Sequence, residues 1–202
     1  MIALQDNSSA VVAPGIYPML YAFFDDRGVL RQDPFRRQVD AALGTQAAGV
    51  AILGLGTEVS KLSFDERVEV LEVVAKRIDG RKPLLATVYG DTITEQIEFS
   101  KRAIQSGASA LMLQPPSQKM DDAKLAGFFS EIISAVDCPI GVQNAPEFLG
   151  FGLSNQSLIA LANDHKNFTI AKLECNAVDL ESVASELGDS VMLFNGRCGL
   201  EL

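Results

Sequence analysis

The chain is 202 residues long, 48% hydrophobic and 21% charged, the balance of an ordinary soluble globular domain and not of a fibre, a peptide or a disordered tail. Its 17 basic and 26 acidic residues leave a net charge of -9, which argues against a nucleic-acid or anionic-membrane surface and for small molecules or other protein chains as partners. Cys138, Cys175 and Cys198 are odd in number and form no CxxC spacing, so a reducing compartment and no zinc site are expected. Residues 1–15 hold no lysine or arginine and no apolar signal core, and no apolar run reaches the roughly 18 residues of a membrane span. The expected location is cytoplasmic.

After a lead at 1–14 that needs no fixed structure, apolar runs at 16–22, 50–54, 83–87, 108–113, 139–144, 168–172 and 190–194 read as seven strands. Their spacing, about 30 residues, is that of βα units. The helices between them carry their own start signals. Asp33 followed by Pro34 offers an N-cap and an N1 proline. Ser63 to Glu66 and Thr92 to Glu95 have the form of capping boxes, and Ser154 and Asn176 head two later helices. Gly80 and Gly107 sit where helices should stop. No break in composition divides 15–202, which reads as a single domain. Parallel strands each followed by a helix form either a doubly wound sheet or a (β/α)8 barrel, and periodicity does not separate the two. Gly54-Leu55-Gly56 begins a dinucleotide fingerprint, but its third glycine position is Val59, and no GxxxxGK[ST] run occurs. Neither nucleotide motif is complete.

Lys172 ends the run 168–172, where a barrel strand delivers side chains to its C-terminal rim. Desolvation favours a neutral amine, the form that attacks a ketone to build a Schiff base. The other reading is a lysine that snorkels at a strand end beside a carboxylate. Glu174 stands two residues on, and side chains at i and i+2 of an extended segment point the same way. It is either a proton carrier beside the lysine or a first-turn helix acid. Gln143 alternates with Gly141 on the run 139–144, so it either faces the pocket with a donor and an acceptor but no titratable proton, or serves as a loop amide. The loop Gly54-Leu55-Gly56-Thr57-Glu58 is either a nest for a substrate carboxylate or an ordinary βα turn. His165, the single histidine, falls between a helix end and a strand start on the opposite side of the layer and is not expected to be catalytic. No Ser/His/Asp arrangement and no metal-ligand cluster is visible.

Gly15-Ile16-Tyr17-Pro18, the Gly54 to Glu58 loop with Leu62-Ser63, the run from Pro139 to Pro146, and Lys172 together resemble the dihydrodipicolinate synthase / N-acetylneuraminate lyase family. The resemblance runs from Gly15 to the end of the chain. It implies a (β/α)8 barrel, usually a homotetramer, in which Lys172 forms a covalent Schiff base with a 2-oxo acid such as pyruvate and no separate cofactor is used. Synthases and aldolases of that family carry a tyrosine proton relay where this chain has Gln143. They carry two adjacent threonines where it has Leu55 and Gly56, and an aromatic where it reads Gln114-Pro115-Pro116-Ser117. The branch of 2-keto-3-deoxy sugar acid dehydratases, typified by 2-keto-3-deoxy-L-arabinonate dehydratase, is similar at these places. Its VQ[ND]AP is matched by Val142-Gln143-Asn144-Ala145-Pro146, its KxE by Lys172-Leu173-Glu174, and its hydroxyl-acid loop pair by Thr57-Glu58.

That resemblance implies Lys172, Glu174 and Gln143 as catalytic residues, Gly56, Thr57, Glu58 and Asn144 as substrate-binding residues, and no metal. The activity it implies is a Schiff-base lyase that dehydrates a 2-keto-3-deoxy sugar acid. A pyruvate-dependent aldolase or synthase, and an inactive 2-oxo acid binding module, are the alternatives. A full barrel takes about 250 residues, and this chain stops at Leu202, just after the seventh strand. The expectation is a barrel truncated there, as a fragment or as a chain completed by a second one.

Overall fold

In the computed structural model, which describes residues 12–196, packing divides the chain into two compact units, Met1–Ala86 with Arg102–Ala110, and Thr87–Lys101 with Leu111–Leu202. In the first, the segment expected as the opening strand forms a single parallel bridge, Met19 to Ala51. It is tied by Ala48 N–H to Ile16 O (2.9 Å), Ala51 N–H to Pro18 O (3.0 Å) and Leu20 N–H to Ala51 O (2.9 Å). Pro18 has no N–H with which to extend a ladder.

A hairpin that local patterning did not reveal follows. Phe24 bridges Leu30 in antiparallel sense, and Asp25 Oδ1 closes the turn by accepting from the N–H groups of Arg27 and Val29, both at 2.9 Å. Arg31 leaves the hairpin extended, with its N–H on Phe23 O, so α1 (Gln32–Leu43) starts one residue before Asp33. Asp33 is therefore not the N-cap. Its carboxylate pairs with Arg36 at 2.8 Å, and Pro34 lies at the third helical position.

β1 (Val50–Ile52) runs parallel to β2 (Leu84–Val88), from Val50 opposite Leu84 to Ile52 opposite Ala86. Between them α2 (Phe64–Ile78) opens with a complete capping box: Glu66 N–H donates to Ser63 Oγ (3.2 Å), and Ser63 N–H to Glu66 Oε2 (2.8 Å). The Arg77 guanidinium clamps α2 to α1 through two 2.7 Å bonds to Asp40. Phe35, Val39, Val50, Ile52, Leu71 and Val74 are buried in this unit's core.

In the second unit β3 (Ala110–Leu113) pairs with β4 (Ile140–Asn144), β4 with β5 (Phe168–Leu173), and β5 with β6 (Met192–Asn195), all in parallel. Its helices are α4 (Asp122–Ser134), the short α5 (Pro146–Leu149), α6 (Asn155–Asp164) and α7 (Ala177–Leu187), while the preceding α3 (Ile93–Gln105) has residues in both units. Ser154 and Asn176 cap α6 and α7 as expected, and Asp121 caps α4. Thr92 caps α3 by accepting from Glu95 N–H, and the Glu95 carboxylate accepts from Asp91 N–H.

The strands are hydrogen-bonded in chain order, β1-β2-β3-β4-β5-β6. A doubly wound sheet reverses its order at a switch point; this one does not. Parallel strands in unbroken chain order with helices between them are those of a (β/α)8 barrel, the fold expected. No helix among the described residues is long and apolar enough to cross a membrane. Cys198 and all but the last three residues of the expected lead lie outside the described residues.

Asp122 fastens α4 to α6, accepting from Ser154 N–H and Ser154 Oγ at 2.8 Å and from Ser157 Oγ at 2.9 Å. Burial opposes its ionised form, but these bonds outweigh it and hold the carboxyl below the usual range. Asp122→Ala is expected to cost about 1–2 kcal/mol at neutral pH. A depressed carboxylate pKa stabilises fully above the unfolded value, near pH 4, and loses that stabilisation as pH falls through the folded one. Thermal melts of both proteins at pH 7 and at pH 2.5 should therefore show a deficit that shrinks on acidification; equal melting temperatures at pH 7 would contradict the assignment.

Candidate active site

β4 and β5 run in register with Gln143 beside Lys172 and Asn144 beside Leu173, so the two polar side chains at the C-terminal ends of these strands share a face. β5 carries Lys172 to its end, and Glu174 follows in the extended step that the Glu174 N–H to Asn144 O bond (3.0 Å) holds in place. Lys172 Nζ lies 3.0 Å from Glu174 Oε1, with side chains 22% and 7% exposed. Water therefore reaches the amine while the carboxylate is enclosed. Gln143 Nε2 donates to the same Oε1 at 2.5 Å.

Behind this pair stands a row of buried amides. Gln114 Nε2 donates to Gln143 Oε1 at 2.9 Å, and Gln96 Nε2 donates to the backbone carbonyls of Gln114 (3.0 Å) and Gly90 (2.9 Å). Gln96, Gln114, Gln143 and Glu174 are all buried. An ionised carboxylate only accepts, so Gln143 must turn its NH2 toward Glu174 and its carbonyl toward Gln114. The charge at one end sets the direction of the two side-chain amides Gln143 and Gln114, while Gln96 meets only backbone carbonyls.

Two glycines let these elements close up. A Cβ on Gly141 would stand 2.0 Å from the Ile170 carbonyl oxygen, and one on Gly196 would stand 2.4 Å from Glu174 Cγ and 2.7 Å from its Oε1. Glu174 cannot swing aside without leaving Gln143. Gly196→Ala is accordingly expected to push the carboxylate out of place and to lower stability by about 1–3 kcal/mol, the usual cost of overpacking. Thermal melts of the two proteins check this, and an unaltered melting temperature would show that the close approach is not needed.

The remaining expected site residues are organised differently. Gly56, Thr57 and Glu58 belong to the first unit, where the loop winds into two single 3-10 turns, Leu55–Thr57 and Val59–Lys61. Thr57 and Glu58 give their N–H groups to Gly54 O and Leu55 O. The Thr57 hydroxyl donates to Leu20 O at 2.6 Å, while Glu58 adopts a left-handed conformation (φ 57°) and pairs with Lys61 at 2.6 Å. Asn144 braces the loop after β4, donating to Leu153 O and accepting from Leu153 N–H, each at 2.9 Å. Lys172, Glu174 and Gln143 are thus gathered in one cluster. Gln96, Gln114 and Gly196 join it without having been foreseen, although Gln114 ends an apolar run just as Gln143 does, and that shared position was the available signal.

Other chemistry is thin. His165 Nε2 lies 2.9 Å from Ser130 Oγ in the turn between α6 and β5. Burial, reinforced by Asp137, pushes the Cys138 thiol up to about 12, which removes it as a nucleophile near neutrality. Among the described residues no three of His, Cys, Asp and Glu come together in a way that could hold a metal ion. In the first unit, a groove of about 560 Å³ lined by Ile16, Pro18, Met19, Ala41, Ala42 and neighbours contains no amine, carboxylate or thiol.

A model of the dihydrodipicolinate synthetase family matches residues 13–201. The chain belongs to that family. Within the dihydrodipicolinate synthetase family it is 29% identical, over 171 residues, to the 4-hydroxy-tetrahydrodipicolinate synthase of Pelobacter propionicus, a match covering 84% of this chain and 59% of that protein. The dihydrodipicolinate synthase of Aquifex aeolicus shares its fold with a TM-score of 0.85 at 22% identity, over 90% of this chain and 62% of the other. YagE, a prophage protein of the dihydrodipicolinic acid synthase family from Escherichia coli K12 solved in complex with pyruvate, aligns with a TM-score of 0.82 at 25% identity, over 90% and 63%. The chain spans about three-fifths of the length of these relatives.

Proposed function

We propose that this member of the family is a Schiff-base lyase acting on a 2-oxo acid, and that its reaction is the dehydration of a 2-keto-3-deoxy sugar acid. The observation that carries the reading is the contact of Lys172 Nζ with Glu174 Oε1 at 3.0 Å, where the carboxylate's other partner is an amide with no proton to relay. The Lys172 amine adds to the C2 carbonyl, and loss of water leaves an iminium that acidifies the C3 hydrogens. Glu174 takes one of them, the C3–H electrons enter the C2–C3 bond, and an enamine forms. The enamine then expels the C4 hydroxyl, which leaves as water with the proton Glu174 has just acquired. Hydrolysis of the unsaturated iminium frees Lys172 and the dehydrated 2-oxo acid. The iminium nitrogen is itself the electron sink, so this sequence uses no cofactor. Elimination leaves the carbon skeleton intact, which accords with Gln143 standing where synthases and aldolases of the family carry a tyrosine.

The test is incubation with pyruvate, and separately with 2-keto-3-deoxy-L-arabinonate, followed by borohydride, intact mass and peptide mapping. An adduct on Lys172 with both, together with release of water and an unbroken carbon chain from the sugar acid, is the expected result. Release of pyruvate and an aldehyde would make it an aldolase instead. No adduct on folded protein would leave a 2-oxo acid binding module. Light scattering on the same sample reads the homo-oligomer that the resemblance implies.

A further inference from the structure

Glu174 is held asymmetrically. Both of its donors, Lys172 Nζ and Gln143 Nε2, converge on Oε1, and among the described residues Oε2 makes no hydrogen bond. The oxygen that accepts a substrate proton is therefore chosen by which one Gln143 occupies. Gln143 alone does not settle that choice. Its own carbonyl is buried, and a buried carbonyl without a donor pays the cost of desolvation or turns until it finds one. The donor it has is Gln114 Nε2 at 2.9 Å, and Gln114 sits at the end of β3 with its backbone N–H on Val88 O and its carbonyl capped by Gln96.

We propose that Gln114 is a positioning residue for the proton-transfer step. Through Gln143 it keeps Glu174 Oε1 occupied and Oε2 presented as the base, and it does so without contributing a titratable group. This inference rests on the Schiff-base reading of Lys172, because only an iminium at Lys172 gives Oε2 a proton to take. An amide row also differs from a hydroxyl chain in function. It can orient a carboxylate but cannot carry a proton away from it, so the proton that Glu174 removes stays on Glu174 for delivery to the leaving group.

The test separates imine formation from proton transfer. Wild-type protein incubated with pyruvate is trapped with borohydride and, in parallel, followed by NMR for exchange of the pyruvate methyl hydrogens in deuterium oxide. Gln114→Met is nearly isosteric and lacks the donor. It is expected to give the same yield of Lys172 adduct with methyl exchange slowed tenfold or more. Should Gln114→Met not fold, the double variant Gln114→Met/Gln143→Leu replaces both partners by apolar groups, a change that tends to be neutral for stability. It is then compared with Gln143→Leu alone, and the two are expected to exchange equally slowly, since the first residue acts only through the second. Wild-type exchange in Gln114→Met, or a further loss in the double variant beyond Gln143→Leu, would overturn the positioning role. Absence of any adduct on the wild-type protein would overturn the Schiff-base reading itself, and that result is distinct from an adduct that forms but exchanges at the wild-type rate in the variant.

Discussion

Lys172→Ala is expected to abolish the borohydride-trapped adduct and to lower turnover by at least about 1,000-fold, since among the described residues no other lysine stands beside Glu174 to form the imine. The substitution also strips Glu174 Oε1 of its cation, leaving, among the described residues, only the Gln143 amide on an enclosed carboxylate. Breaking a fully buried ion pair costs roughly 3–5 kcal/mol. Because water reaches the amine side, about 2 kcal/mol is a more suitable expectation here. Lys172→Arg supplies the control, as it keeps a cation beside Glu174 but does not condense with a ketone under these conditions. Its adduct should be missing and its melting temperature should lie closer to the wild-type value than that of Lys172→Ala. A mass increase on either variant would place the reactive amine elsewhere in the chain.

Glu174→Gln should have the opposite signature, with trapping retained and elimination slowed by about 100- to 10,000-fold, the usual contribution of a positioned general base. The amide keeps an oxygen that can accept from both Gln143 and Lys172, so the packing against Gly196 persists while the basic oxygen is lost. Adduct yield, pyruvate methyl exchange and water release measured on one preparation would expose the step at fault. Full activity in Glu174→Gln would remove Glu174 from the mechanism and return it to its alternative duty as the partner of Lys172. Gly196→Ala, which displaces the carboxylate without changing it, should fall between this variant and the wild type.

Much of the arrangement follows from local rules that a linear pattern carries. Lys172 and Glu174 share a side because alternate residues of an extended chain do, and the Ser63 box, the Ser154 and Asn176 caps and the β1 to β6 runs depend on residues within a few positions of one another. The places where expectation and structure part company are those governed by distant partners. Asp33 and Pro34 look like a helix start, but the Phe24 to Leu30 hairpin delivers the chain into α1 earlier. Gln114 gives no sign by itself of reaching Gln143, 29 residues on.

The sequence by itself determined the order of the strands β1 to β6, the membership of Lys172 and Glu174 in one cluster, and the absence of a complete nucleotide motif, since each depends on period-2 alternation, capping chemistry or short spacing. Only the tertiary structure decided that the strands pair in chain order, that Gln114 and Gln143 form a directed pair ending on Glu174 Oε1, and that Gly196 presses against that carboxylate. Those outcomes depend on the lateral register between strands contributed by remote parts of the chain, and that register is set by packing and backbone pairing between neighbouring strands, which no local pattern of residues encodes.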